Sequence, residues 1–226
     1  VTRDQILTRI QFTLGLQDDT TFSETQFAQD LIFEAITDIS ARTHAGARII
    51  NMTTTPDTIT HDMSTLSIIS LLDLADANGN YLDRYTREDI EALQRQGVRG
   101  YAWTEPMLWV SPVGEQTLRV IGVFRPQKMS AGTQSPSDPL YGGLAEEFHP
   151  TIITYCLWKG GEYMQHEASG NGEKWRVQYE GQDGMSGEIA KIKRILKKRV
   201  TPGGTRRRNP LRTVGAVPDL SYYAGG

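Results

Sequence analysis

A single cysteine, Cys156, stands in 226 residues, which excludes an internal disulfide framework and any zinc site built on a cysteine cluster. It lies in the apolar run 152–158, where a thiol is expected to act as a small buried hydrophobe. Long apolar runs are missing as well. No window approaches the roughly 18 apolar residues of a membrane span, and the charged stretch 1–4 lacks the apolar core of a signal peptide. A soluble, non-exported protein without membrane contacts is expected. Hydrophobic residues make up 38%, modest against the about 45–50% usual on a scale that also counts glycine. The length fits one or two domains, at about 100–200 residues each, with part of the chain outside any core.

Chemical motifs are equally scarce. There is no Walker loop, no glycine-rich dinucleotide fingerprint, no zincin histidine pair and no Gly-x-Ser-x-Gly elbow. His44, His61, His149 and His166 are scattered, and no two share metal-ligand spacing. Asp18-Asp19 and Glu146-Glu147 are adjacent carboxylates, but neighbours on a helix point about 100° apart, so neither pair forms an acid/base couple. Asp57 to Asp62 lacks the glycine and final glutamate of a calcium loop. The expectation is a non-enzymatic protein without cofactor or metal.

What is present is a charge asymmetry. The formal charge of −3 conceals 14 basic and 26 acidic side chains over residues 1–190, against 10 basic and one acidic, Asp219, over 191–226. Two regions of opposite sign concern association more than fold. Lys191, Lys193, Arg194, Lys197, Lys198 and Arg199 have a bland alternative, as cations that complement the dipole at a helix C-terminus. That reading does not reach Arg206, Arg207, Arg208 and Arg212, which follow Pro202-Gly203-Gly204.

The periodicities predict an α+β fold: a helical-bundle core with inserted antiparallel β-hairpins and an extended C-terminal tail. A body over 1–200 is expected to carry helices over 3–16, 23–45, 146–168 and 173–199. Ile6, Ile10 and Leu14 recur at helical spacing, as do Leu31, Ala35 and Ile39 after a capping box of Ser23 and Gln26 with Phe22 and Phe27 as its staple. Gly46 is the expected stop. Ile153, Cys156 and Leu157 resume the pattern, and Gly160-Gly161 suits a close helix approach at some cost to the helix itself. Ile189, Ile192 and Leu196 form the last stripe, after Gly181, Gly184 and Gly187, where a break is expected.

Between the helices, residues 47–125 read as a β-rich insertion. Short β-branched runs at 49–55 and 58–61 precede an apolar run at 66–74, which Asn78-Gly79-Asn80 turns into a hairpin with 81–85. Thr86 and Asp89 open a short helix that Gly97 stops. Runs at 107–111 and 117–125 predict a second hairpin through Val113-Gly114-Glu115-Gln116. Residues 126–144, with Pro126, Pro136 and Pro139 among glycines and serines, read as a linker or extended arm longer than the usual about 4–6 residues.

The extension 201–226 holds too little apolar surface to offset ordering entropy and is expected to be flexible on its own. Leu211, Val214, Val217, Leu220, Tyr222 and Tyr223 are nevertheless what a segment needs to order on a partner, in a groove or as an added strand. A degenerate terminus or expression remnant is the plain alternative.

The order of these parts resembles a known family. The helix pair, the stretches Leu71-Leu72-Asp73-Leu74 and Asn78-Gly79-Asn80-Tyr81-Leu82, the strand over 118–124 before Arg125-Pro126, and Glu146-Glu147-Phe148-His149 ahead of the helix over 152–164 resemble tailed-phage head-to-tail connector proteins of the adaptor type, over about residues 1–200. The resemblance implies a structural virion protein of the neck, assembled in the host cytoplasm. It would form a ring, usually of about twelve copies, beneath the portal protein and around the DNA channel. The implied partners are portal, further copies, the next tail or stopper protein, and double-stranded DNA that passes without specific binding. Residues 126–144 would reach a neighbour or the tail. The extension 201–226, through Arg206, Arg207, Arg208, Leu211, Arg212, Leu220, Tyr222 and Tyr223, would bind portal or another partner. An acidic body lining the channel would repel a sliding polyanion. The glycine-rich 181–187 and the long basic extension depart from the family pattern. The alternative is a DNA-binding accessory protein of viral genome packaging, in which the same arginines contact phosphates.

Overall fold

A computed structural model describes residues 1–15, 26–164, 170–182 and 185–199. The described residues divide into two units, one built from 1–46 together with those from 126 to 199, the other from 47–125. The fold is α+β, as expected.

The first unit is helical. Helix α1 (Arg3–Leu14) opens on a capping box: the Thr2 hydroxyl accepts from the Gln5 N–H at 3.4 Å, and the Gln5 side chain accepts from the Thr2 N–H at 3.0 Å. Gly15, at φ 72°, closes it. Helix α2 (Gln26–Thr43) buries Leu31, Ile32, Ala35, Ile36 and Ile39 along one stripe. The capping box expected at Ser23, with its Phe22 and Phe27 staple, lies outside the described side chains. Later come α4 (His149–Met164), α5 (Gly170–Glu180) and α6 (Glu188–Arg199). Helix α4 packs against α1, α2 and α5, so Ile152, Tyr155, Cys156 and Leu157 sit in the middle of a single apolar core. Fully burying one large aliphatic side chain contributes about 1.5–3 kcal/mol, which makes this stripe the main source of the unit's stability.

One expectation for this unit is met and two need correction. The break expected at Gly181, Gly184 and Gly187 is present and divides the helical span 173–199 into two helices, with Gly181–Gln182 (β7) paired antiparallel with Met185–Ser186 (β8) between them. Gly181 takes φ 89° there, the left-handed conformation that glycine adopts without steric cost. Residues 126–144 are not a free arm. They form a strap fastened to the start of α1: the Arg3 N–H donates to the Gln134 carbonyl at 2.8 Å, the Asp4 N–H to the Gly132 carbonyl at 3.2 Å, and the Arg3 guanidinium to the Ser130 carbonyl at 2.8 Å. The first N–H groups of a helix have no partner within it, and the strap supplies one. It also sends Met129 and Leu144 into the core. Proline and glycine content signalled irregular backbone, which is correct, but not its attachment. The helix expected from 146 begins instead as a 3-10 turn, Glu146–Phe148, that runs into α4.

The second unit holds two antiparallel three-stranded sheets and helix α3 (Arg87–Gln96). One sheet has the order β1 (Arg48–Thr53), β6 (Thr117–Phe124), β3 (Ile68–Asp76); the other β2 (Thr60–Asp62), β5 (Met107–Ser111), β4 (Gly100–Thr104). Strand β6 alternates Leu118, Val120 and Phe124 into one cluster and Ile121 and Val123 into another. The first cluster also takes Tyr101, Leu108 and Val110 from the other sheet. Thr86 caps α3 by accepting from the Asp89 N–H, and Gly97 stops it at φ 66°, both as expected.

The second expected hairpin does not form. Strands β5 and β6 are the middle strands of different sheets, and both edges of each are taken by other partners. The connection is held by Thr54, whose hydroxyl donates to the Gly114 carbonyl at 2.6 Å and accepts from the Gln116 N–H at 2.9 Å. The Asn78-Gly79-Asn80 turn is present, with the Asp76 N–H donating to the Asn80 carbonyl and the Leu82 N–H to the Leu74 carbonyl. Its second arm makes only the isolated bridges Ala75 to Tyr81 and Arg84 to Tyr101. Of the two partners of β5, β2 falls in the run read at 58–61, whereas β4 follows the Gly97 stop without a turn signal ahead of it.

Candidate interaction surfaces

The residues expected to bind a partner, Arg206, Arg207, Arg208, Leu211, Arg212, Leu220, Tyr222 and Tyr223, lie outside the described residues. The surfaces that can be built from atoms belong to the body.

Titratable groups inside the body serve packing. Cys156 is fully buried, and burial pushes its thiol far above the usual range. Burial likewise pushes the Tyr155 hydroxyl up to about 12. Tyr179 stacks edge-on to Tyr155 at 5.3 Å, and its hydroxyl donates to Asp38 at 2.6 Å. Beside it, Arg42 grips Glu180 through two bonds of 2.6 and 2.5 Å, which hold the Glu180 carboxyl below its ordinary range. Among the described residues no group of three His, Cys, Asp or Glu is arranged to hold a metal ion.

Helix α6 presents a different surface. Ile189 and Ile192 are buried and Leu196 packs on the core, while Lys191, Lys193, Arg194, Lys197 and Lys198 are exposed, with Ile195 among them at 36%. The 3.6-residue period places Lys191, Arg194 and Lys198 on one face. Lys193 helps to lower the basicity of His44, after burial as the main cause. Glu188, the one acidic residue of α6, accepts through Oε1 from Gln178 at 2.6 Å and Thr154 at 3.2 Å, which ties it to α5 and α4, while its Oε2 is buried without a hydrogen-bond partner among the described residues.

A second surface lies over α1, α4 and α5. Phe12, 71% exposed, borders an open groove of about 370 Å³ whose apolar walls are Ile153, Leu157 and Trp175, with Arg9 at its rim.

No helix among the described residues is long and apolar enough to cross a membrane. A family model described as SU10 adaptor protein matches residues 1–213. No curated protein matches the chain.

Proposed function

The chain belongs to the SU10 adaptor protein family, and on that footing we propose that it is the ring-forming subunit that joins the capsid's portal to the tail. As a phage adaptor it is a structural protein that works by contact with other head or tail proteins. In the proposed assembly, copies pack head to tail into a closed ring beneath the portal, since a heterologous contact that closes by rotation joins different faces of one chain. The ring surrounds the passage for double-stranded DNA in the virion neck, and its far side receives the next tail or stopper protein.

Within this reading, 201–226 is the anchor on portal. Arg206, Arg207, Arg208 and Arg212 meet acidic protein surface, and Leu211, Leu220, Tyr222 and Tyr223 fill apolar pockets as the segment orders on binding. The single observation that carries the proposal is the family match, which runs beyond α6 to residue 213 and so takes in all four arginines and Leu211. Removing 201–226 and measuring co-sedimentation with assembled portal rings tests it. Loss of association with an unchanged circular dichroism spectrum is expected, and binding equal to that of the full chain would refute the anchor.

A further inference from the structure

Helix α6 carries cations where a helix gains nothing from them. Those in its last turn complement the macrodipole, but Lys191 sits in the first turn, where the positive end of the dipole disfavours a cation. Among the described residues, Lys191, Arg194 and Lys198 form no ion pair with a carboxylate, and Arg194 spends one N–H on the Ser186 hydroxyl at 2.9 Å. Glu188, the only acid on the helix, is engaged elsewhere. The exposed face is therefore of one sign throughout, and the macrodipole accounts for Lys198 but not for Lys191 or Arg194.

We propose that this face of α6 is a sequence-independent contact for the phosphate backbone of duplex DNA. Charge density selects the partner. The three cations of this face, Lys191, Arg194 and Lys198, span about 10.5 Å along the helix axis. A duplex presents one negative charge per about 1.7 Å of its axis, or about six over that length, so each cation has a phosphate within reach. An acidic protein surface matches this only where carboxylates are packed as densely as phosphates. Lysine and arginine side chains on one helical face reach phosphates without reading bases, so the contact restrains DNA while carrying no sequence preference. This role does not depend on the ring or on portal binding, and either can fail without the other.

The test is fluorescence anisotropy of the full chain with a labelled duplex of arbitrary sequence, titrated over sodium chloride from about 50 to 200 mM, the range in which phosphate contacts are lost. The comparison is between wild type and the triple variant Lys191→Gln, Arg194→Gln and Lys198→Gln. Glutamine matches lysine and arginine in helix propensity, and a thermal melt by circular dichroism checks the fold. Loss of three phosphate contacts makes the slope of log affinity against log salt shallower by about 2.7. That corresponds to about a 40-fold smaller loss of affinity across the titration. A second variant, Arg206→Gln, Arg207→Gln and Arg208→Gln, is expected to retain the α6 share of the slope. The proposal is overturned if wild type fails to bind at about 50 mM salt, the lower end of that range. It is equally overturned if the α6 variant keeps the wild-type slope, if the arginine variant alone abolishes binding, or if polyglutamate competes as well per charge as DNA.

Discussion

His149 lies 1% exposed at the start of α4, under the strap. Its Nε2 approaches the Leu144 carbonyl and the Ser137 hydroxyl, each at 3.2 Å. A carbonyl only accepts, so Nε2 carries the proton and Nδ1 is left buried without a partner among the described residues. Burial holds the imidazole below its ordinary range, against the Leu144 carbonyl and the nearby Glu146 carboxylate, which pull it upward. His44 and His61 are also lowered, chiefly by burial. The unfolded chain takes up protons below about pH 6.5 while these folded imidazoles resist. Stability is therefore complete above that pH and falls as the solution is acidified through it. Replacing His149 by Gln is expected to remove up to about 1.4 kcal/mol per pH unit of this slope below about pH 6.5, read from urea midpoints across pH. An unchanged slope would show that His149 takes no part. The sequence showed a histidine without metal-ligand spacing, but not that it lies under a strap, because Leu144 and Ser137 are ordinary residues until folding brings them to its ring.

At the level of elements, Gly160-Gly161 was legible as a place for close approach, and α5 fills it. A Cβ on Gly161 would stand 3.3 Å from the Cα of Gly172, so the two helix backbones meet there without intervening side chains. Gly161→Val is expected to destabilise the helical unit by about 1–3 kcal/mol through overpacking, measured by urea denaturation. A neutral result would mean that α5 slides away at little cost. The strap shows the opposite case. Its composition resembled that of a linker, and what orders it is the supply of carbonyls to the unpaired N–H groups of α1, more than 120 residues earlier in the chain. Prolines and glycines report backbone irregularity, and they say nothing about which distant donor an irregular segment will satisfy. Likewise, the strand character of 107–111 and 117–124 was readable from β-branched residues, but their partners were not, since adjacency in sequence favours a hairpin that sheet topology does not use.

For the molecule as a whole, the edges of the second unit coincide with the β-rich insertion read over 47–125, which begins where helical periodicity gives way to short β-branched runs and ends at the proline- and glycine-rich stretch 126–144. The second unit has its own apolar clusters, and its two chain ends are antiparallel neighbours, Arg48 opposite Gly122. A segment whose ends pair with each other and whose core is its own meets the description of a domain that folds alone. Residues 47–125 expressed separately are expected to give a cooperative thermal transition with a β-rich circular dichroism spectrum. A non-cooperative melt would make this unit dependent on the rest of the chain.

The sequence by itself determined the α+β class, the apolar stripes of the helices, the cap and stop of α3, the bareness of catalytic motifs and the separation of charge along the chain. These follow from local spacing and composition, which the backbone expresses wherever it lies. The tertiary structure alone decided that the strap binds α1, that β5 and β6 part into different sheets, and that the cations of α6 stand on an exposed face with Glu188 turned to other work. Each depends on which remote donor, strand edge or carboxylate arrives nearby, and long-range pairing is settled by the energy of the assembled core rather than by any neighbour in sequence.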